Sequence, residues 1–144
     1  MNIFQTDYET RLQSWHDLKE ESKAVDLQEC CIKIDDWWQQ APLLNHYLHV
    51  HDTFNWPDPW DLLVENTYCE IARALGMCYT LYMINVRDFE IAEASDSSGN
   101  DVVLVLVDHA KYILNYWPDT VVNNCLQDFT IKRSIDIRTL LEKI

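Results

Sequence analysis

The sequence predicts an α+β fold: N-terminal helices, one buried central helix, then a small antiparallel sheet. Two observations predict it. Apolar residues recur at helical spacing as far as about Met83. Beyond Val86 the pattern changes to alternation at Phe89 and Ile91 and a β-branched run over Val102–Val107. Helical segments come first and strands follow, an order that favours antiparallel pairing over a parallel α/β sheet. The 144 residues, 48% of them apolar, suit a single domain over residues 1–144, since a chain of this size buries roughly 70% of its unfolded surface.

Each element has its own signature. Tyr8, Leu12, Trp15 and Leu18 share one face of an amphipathic helix over about Thr6–Ala24. Cys31, Ile32, Ile34, Trp37 and Trp38 fit a second helix over Leu27–Gln40, with Pro42 ending it nearby. Leu43–Pro59 reads as an irregular loop rich in His and aromatic residues. Asp58 before Pro59 pairs an N-cap with a first helical position, so a short helix starts there. Thr67 and Glu70 match the T-x-x-E capping box. The helix behind them, running to Met83, is apolar almost all round and so is expected at the centre of the fold. Ser95–Asn100 is a turn cluster between two strands, and Asp108–Lys111 is a tight turn into Tyr112–Tyr116. Phe129–Ile137 offers one more strand, and Ile137–Ile144 a short terminal helix.

Composition excludes several function classes. Only two glycines are present, where average usage would give about ten. Phosphate-binding loops of the P-loop and GxGxxG kinds need more, so no nucleotide cofactor is expected. A net charge of −13 repels phosphate backbones and anionic membrane surfaces, so neither nucleic acid nor membrane is an expected partner. The polar, acidic start MNIFQTDYET lacks the pattern of a signal peptide, and the uncharged stretch Ala74–Val86 is too short to span a bilayer. Five cysteines without a C-x-x-C pair predict reduced thiols and an intracellular setting.

Three groups of residues could bear chemistry. Cys69, in the first turn of the helix opened by Thr67, would meet aligned amide dipoles that favour a thiolate; the alternative is a small buried apolar residue. His46, His49, His51 and Asp52 have the donor atoms of a zinc or manganese site, but their spacing matches no zinc motif, and a polar loop with no metal is expected. The aromatic residues Trp37, Trp38, Trp56, Trp60, Tyr116 and Trp117 are either interface anchors or core. Of these, Trp56-Pro57-Asp58-Pro59-Trp60 and Trp117 are the candidate partner-binding residues; for the first five the alternative is a clamp pinning the long loop to the central helix. Asp35-Asp36 and Glu20-Glu21 read as solvated faces.

A helix opening at Cys69, followed by strands with polar partners, resembles the transglutaminase-like branch of the papain-type fold over roughly residues 60–120. The resemblance implies Cys69 as nucleophile and Asn115 as third member of a catalytic triad. It would set the histidine near Asp101, where this chain has none. His109 lies at the other end of that strand, about 25 Å away if extended. The resemblance therefore implies a degenerate version, with Cys69, Asp101 and Asn115 at the former catalytic positions. WWQQAP, WPDPW and YCEIARALGMCYTLYMI are in turn similar to small proteins of T4-like tailed phages, which implies a virion part such as a tail or baseplate protein, in the host cytoplasm or the assembled particle.

Two functions are expected on these grounds. The first is a non-enzymatic structural or interaction subunit whose partners are other protein subunits of a larger assembly. The second is a cysteine hydrolase or acyl-transferase, with Cys69 as nucleophile, a histidine of the 46–51 loop as base, and Asn115 or Asp101 orienting it.

Overall fold

A computed structural model describes residues 2–44 and 48–144. The helices are α1 (Tyr8–Lys23), α2 (Leu27–Trp38), α3 (Pro59–Glu65), α4 (Glu70–Met83) and α5 (Arg138–Leu141); the strands are β1 (Phe89–Asp96), β2 (Asp101–Val107), β3 (Tyr112–Leu114) and β4 (Phe129–Ile135). The order is α+β: helices, then a four-stranded antiparallel sheet. Its strand order is β3-β2-β1-β4. β1 to β3 form a meander, and the long connection after β3 returns β4 to the free side of β1, a Greek-key arrangement.

Local chemistry sets the helix starts. Asp7, Asp26 and Asp58 each cap a helix, their side chains accepting from the backbone N–H of Thr10, Glu29 and Asp61 at 2.9, 2.9 and 2.8 Å. α4 departs from the capping box that Thr67 and Glu70 suggest. Its N-cap is Cys69, whose side chain makes no capping bond. The reason is the approach to the helix. Asn66 ends α3 in a left-handed conformation (φ 53°), and Tyr68 then runs extended against Leu43, its carbonyl accepting from the Leu44 N–H at 2.7 Å. Thr67 therefore lies too early to cap, and its hydroxyl donates to the Glu65 carbonyl instead. β3 stops short of Tyr116 because Asn115 turns left-handed (φ 67°).

α4 is the centre of the core, buried from Ile71 through Leu81. Trp15 of α1 and Trp38 of α2 both donate their indole N–H to Thr80 Oγ1, at 2.9 and 3.0 Å, and the Thr80 hydroxyl donates to the Gly76 carbonyl at 2.8 Å. One buried hydroxyl thus orients two indoles and joins three helices. Trp38 packs directly on Gly76, where a Cβ would lie 2.5 Å from ring carbons. Arg11 is also buried; its Nε and Nη2 donate to the Leu63 carbonyl at 3.1 and 2.9 Å, which ties α1 to the last turn of α3.

β1, β2 and β3 contribute buried side chains to both faces of the sheet, while β4 is mostly exposed. Ile91, Val103, Val105 and Val107 meet the helices, while Ala92, Ala94, Leu104, Leu106 and Ile113 form a second cluster behind, with Tyr116 and Phe129 packed on it. A β-bulge interrupts the β1–β4 register. Glu93 pairs with Arg133 and Ala94 with Ile131, so Lys132 is the extra residue.

Candidate functional site

The N-terminus of α4 opens on a cleft of about 620 Å³, bounded by Leu43 and Leu44 on one side and by β1, β2 and β4 on the other. Pairing of Glu93 with Val103, and of Ser95 with Asp101, places the polar ends of β1 and β2 on the side of the sheet that Val103 presents to the helices. The bulge then brings Lys132 and Arg133 into the same wall. Arg133 Nε donates to Glu93 Oε2 at 2.5 Å, and Lys132 pairs with Asp101. The hydrogen bond from Lys132, with its charge, holds the Asp101 carboxyl below the usual range. The Lys132–Asp101 pair is largely solvated and the Arg133–Glu93 pair partly so, and both orient the wall more than they stabilise the fold. Leu43 and Leu44 give the opposite rim an exposed apolar character.

Two of the three catalytic positions singled out from the sequence line this cleft. Cys69 stands at the α4 N-cap, only 4% exposed, and Asp101 starts β2 on the facing wall. Asn115 lies behind α4, buried. Its Oδ1 accepts from Arg73 Nε at 2.8 Å, and its Nδ2 donates to the Glu70 carbonyl at 3.1 Å and the Val103 carbonyl at 2.9 Å. Asn115 thus staples the first turn of α4 to β2, with both amide hydrogens in use.

The histidines separate. His51 Nε2 lies 3.5 Å from Arg133 Nη1, beside the cleft wall. His49 offers its carbonyl to the Trp56 indole at 2.9 Å. His109 pairs with Asp88 at 3.3 Å at the far end of β2. His46 lies outside the described residues. Among the described residues no hydrogen bond joins Cys69 to an imidazole, and no group of three or more His, Cys, Asp or Glu side chains is placed to hold a metal ion.

The aromatic candidates divide by burial. Trp56 is buried, and so is Pro59. Tyr79 of α4 donates its hydroxyl to the Pro57 carbonyl at 2.6 Å, and Asp58 caps α3. This segment thus pins the loop to α4, the clamp arrangement, and does not present Trp56 at the surface. Trp60 is half-exposed, edge-on to Trp15. Trp117 is different: it is 64% exposed on the connection after β3.

Asp35 corrects a sequence expectation. It is not part of a solvated face but fully buried. Its Oδ1 accepts the Asn115 N–H at 2.9 Å and the Gln39 amide at 3.3 Å, while Oδ2 is buried without a hydrogen-bond partner. Burial pushes the Asp35 carboxyl up to about 6, against the pull of those donors and of Arg73. Arg73 is itself buried, and that burial draws its guanidinium below the ordinary value. The signal was present in the sequence: Asp35 lies four residues after Cys31 and three before Trp38, on the apolar stripe of α2. Neither a protein-family model, a curated protein nor a solved structure matches this chain. Its own residues therefore carry the functional reading. Among the described residues no helix is long and apolar enough to cross a membrane.

Proposed function

We propose that the chain is a non-enzymatic interaction subunit of a larger protein assembly, such as a tail or baseplate part of a tailed-phage virion. We read its scaffold as transglutaminase-like, with the third catalytic position turned to structural use. The observation behind this reading is Asn115. An amide that orients a catalytic imidazole does so through its oxygen, and here Oδ1 accepts from Arg73 Nε while both Nδ2 hydrogens go to the Glu70 and Val103 carbonyls, which fixes the side chain between α4 and β2. Asp101, at the position where the base would stand, is engaged by Lys132.

The connection between β3 and β4 supplies a surface for a partner. Trp117, Val122 and Leu126 are all exposed along it, with Asp119 and Asp128 beside them in sequence. Large apolar groups set among carboxylates fit an apolar pocket with a basic rim on another protein. Residence in a host cytoplasm or an assembled particle belongs to the same reading.

Tagged chain recovered from cells of its native host tests this. Trp117→Ser is expected to lower co-purification of the partner at least about tenfold, the equivalent of about 1.4 kcal/mol, while the melting temperature stays unchanged. Cys69→Ala is expected to leave partner recovery unaltered. Full recovery with Trp117→Ser would remove the interface assigned here.

A cysteine hydrolase is the second reading, favoured by one observation: Cys69 at the N-cap of a 14-residue helix, facing a cleft with Asp101 on the opposite wall. Turnover of an ester or amide that disappears in Cys69→Ala would put it first.

A further inference from the structure

β4 is an outer strand of the sheet, paired with β1 on one side and, among the described residues, with no strand on the other. The hydrogen-bond phase of β1 fixes which of its backbone groups remain. The Asp108 N–H donates to the Asp88 carbonyl and the Asp96 N–H to the Asn100 carbonyl, so the even-numbered residues of β1 address β2. The odd-numbered Ile91, Glu93 and Ser95 therefore address β4, through Ile135, Arg133 and Thr130. Ile131 and Ser134 turn their N–H and C=O groups outward, and among the described residues no hydrogen bond occupies them. Phe129 shares their phase, but its N–H is held by the Leu126 carbonyl.

Thr130 through Ser134 are all exposed, and their side chains divide by face. Lys132 and Arg133 stand on the cleft side, while Ile131 pairs with Ala94 on the back, where Phe129 packs. Arg133 uses Nε on Glu93 and sets Nη1 beside His51, and Lys132 gives one hydrogen to Asp101. Both side chains are nearly half exposed, and among the described residues Arg133 Nη2 and the other two Lys132 hydrogens have no acceptor. A strand added outside β4 would lie one spacing of about 4.8 Å from these cations, but two from Glu93 and three from Asp101. The nearest charges would thus be the attractive ones. From the start of β4 to Ile144 the chain has four basic and two acidic residues, against a net charge of −13 for the whole.

We propose that the outer edge of β4 is a docking site for an extended acidic segment of another protein. The segment adds as a fifth strand, with carboxylates on the cleft side opposite Lys132 and Arg133 and apolar side chains on the back beside Ile131. The site involves neither Trp117 nor Cys69. A second copy of this chain is a poor occupant. Antiparallel self-pairing about the middle of β4 sets the Lys132 and Arg133 of both copies in one row of like charges. Lysines and bulges keep edge strands from pairing with themselves, and these cations select carboxylates by the same means.

NMR of the full chain tests this with a blocked peptide alternating Glu and Val and, as control, one alternating Lys and Val. With the Glu peptide bound, the Ile131 and Ser134 amides are expected to exchange at least about tenfold more slowly. The Arg133 and Ile135 amides, already within the β1 ladder, should change little. The Lys peptide should bind at least about tenfold more weakly, and Lys132→Gln with Arg133→Gln should erase that preference. Ile131→Pro removes an outward N–H but no bond to β1, and should weaken the Glu peptide at least about tenfold. Should that variant fail to fold, the double Gln variant decides. Trp117→Ser should bind the peptide unchanged, so this site and the Trp117 surface stand or fall separately. Equal binding of the two peptides, no binding of the Glu peptide at about 1 mM, or protection confined to residues outside β4 would overturn the proposal. So would self-association of the chain that protects the Ile131 amide.

Discussion

Thr80→Val is expected to lower the unfolding free energy by about 4 kcal/mol, because it strands two buried indole N–H groups at about 1–3 kcal/mol each. Val nearly matches Thr in volume, so no cavity forms and the loss reports hydrogen bonding. Trp15 and Trp38 would keep their places against α4 but lose the one oxygen that both address. The Gly76 carbonyl would also lose a donor. Thr80→Ser keeps the hydroxyl and removes only a methyl group, at about 1 kcal/mol. Urea unfolding of the two variants distinguishes the contributions. Equal losses for Val and Ser would mean that packing, and not the shared acceptor, holds the indoles.

Gly76→Ala should destabilise by about 3 kcal/mol, although a helix interior prefers Ala by about 1 kcal/mol. The added methyl would meet Trp38 ring carbons at 2.5 and 2.7 Å. The indole must move, and its bond to Thr80 moves with it. For a chain of this length the melting temperature should fall by about 10 °C. Pairing the change with Trp38→Leu should make the combined loss smaller than the sum of the single losses, since the clash is then absent. Additive losses would show that the ring does not set the requirement for glycine.

Much of the fold was legible because it is written locally. Asp58 before Pro59 marked α3, and the all-round apolar run marked α4 as the buried centre. The β-branched run Val102–Val107 marked β2, whose last five residues are buried. Errors arose where a distant partner decides. Asp35 reads as a solvated acid when paired with its neighbour Asp36, although its place on the apolar stripe of α2 signals burial; the partner that holds it there, the Asn115 N–H, lies far away in sequence. Thr67 satisfies a capping box, yet the bridge between Leu43 and Tyr68 moves the helix start onward.

The tryptophans divide for the same reason. Trp15, Trp37, Trp38 and Trp56 are buried, and each indole N–H finds an acceptor, on Thr80, Ser14, Thr80 and His49 respectively. Those acceptors lie on other helices or across the loop, so composition alone does not separate these rings from Trp117. The cleft was half legible. Helix and strand order brings Cys69 and Asp101 to it, but the β1–β4 bulge that delivers Lys132 and Arg133 has no local signature. The return of β4 to β1 is likewise a property of the whole sheet.

The proposed function holds that the cleft at α4 belongs to a scaffold and not to a working catalytic centre. The alkylation rate of Cys69 as a function of pH tests it most directly, with Cys69→Ala as control and peptide mapping to separate the other thiols. With its sulfur at the 4%-exposed N-cap and no imidazole bonded to it among the described residues, Cys69 should label slowly at about pH 6, and no faster than an exposed model thiol at about pH 8. Rapid labelling of Cys69 at about pH 6, exceeding that of the exposed Cys125, would contradict the claim and put the hydrolase reading in its place.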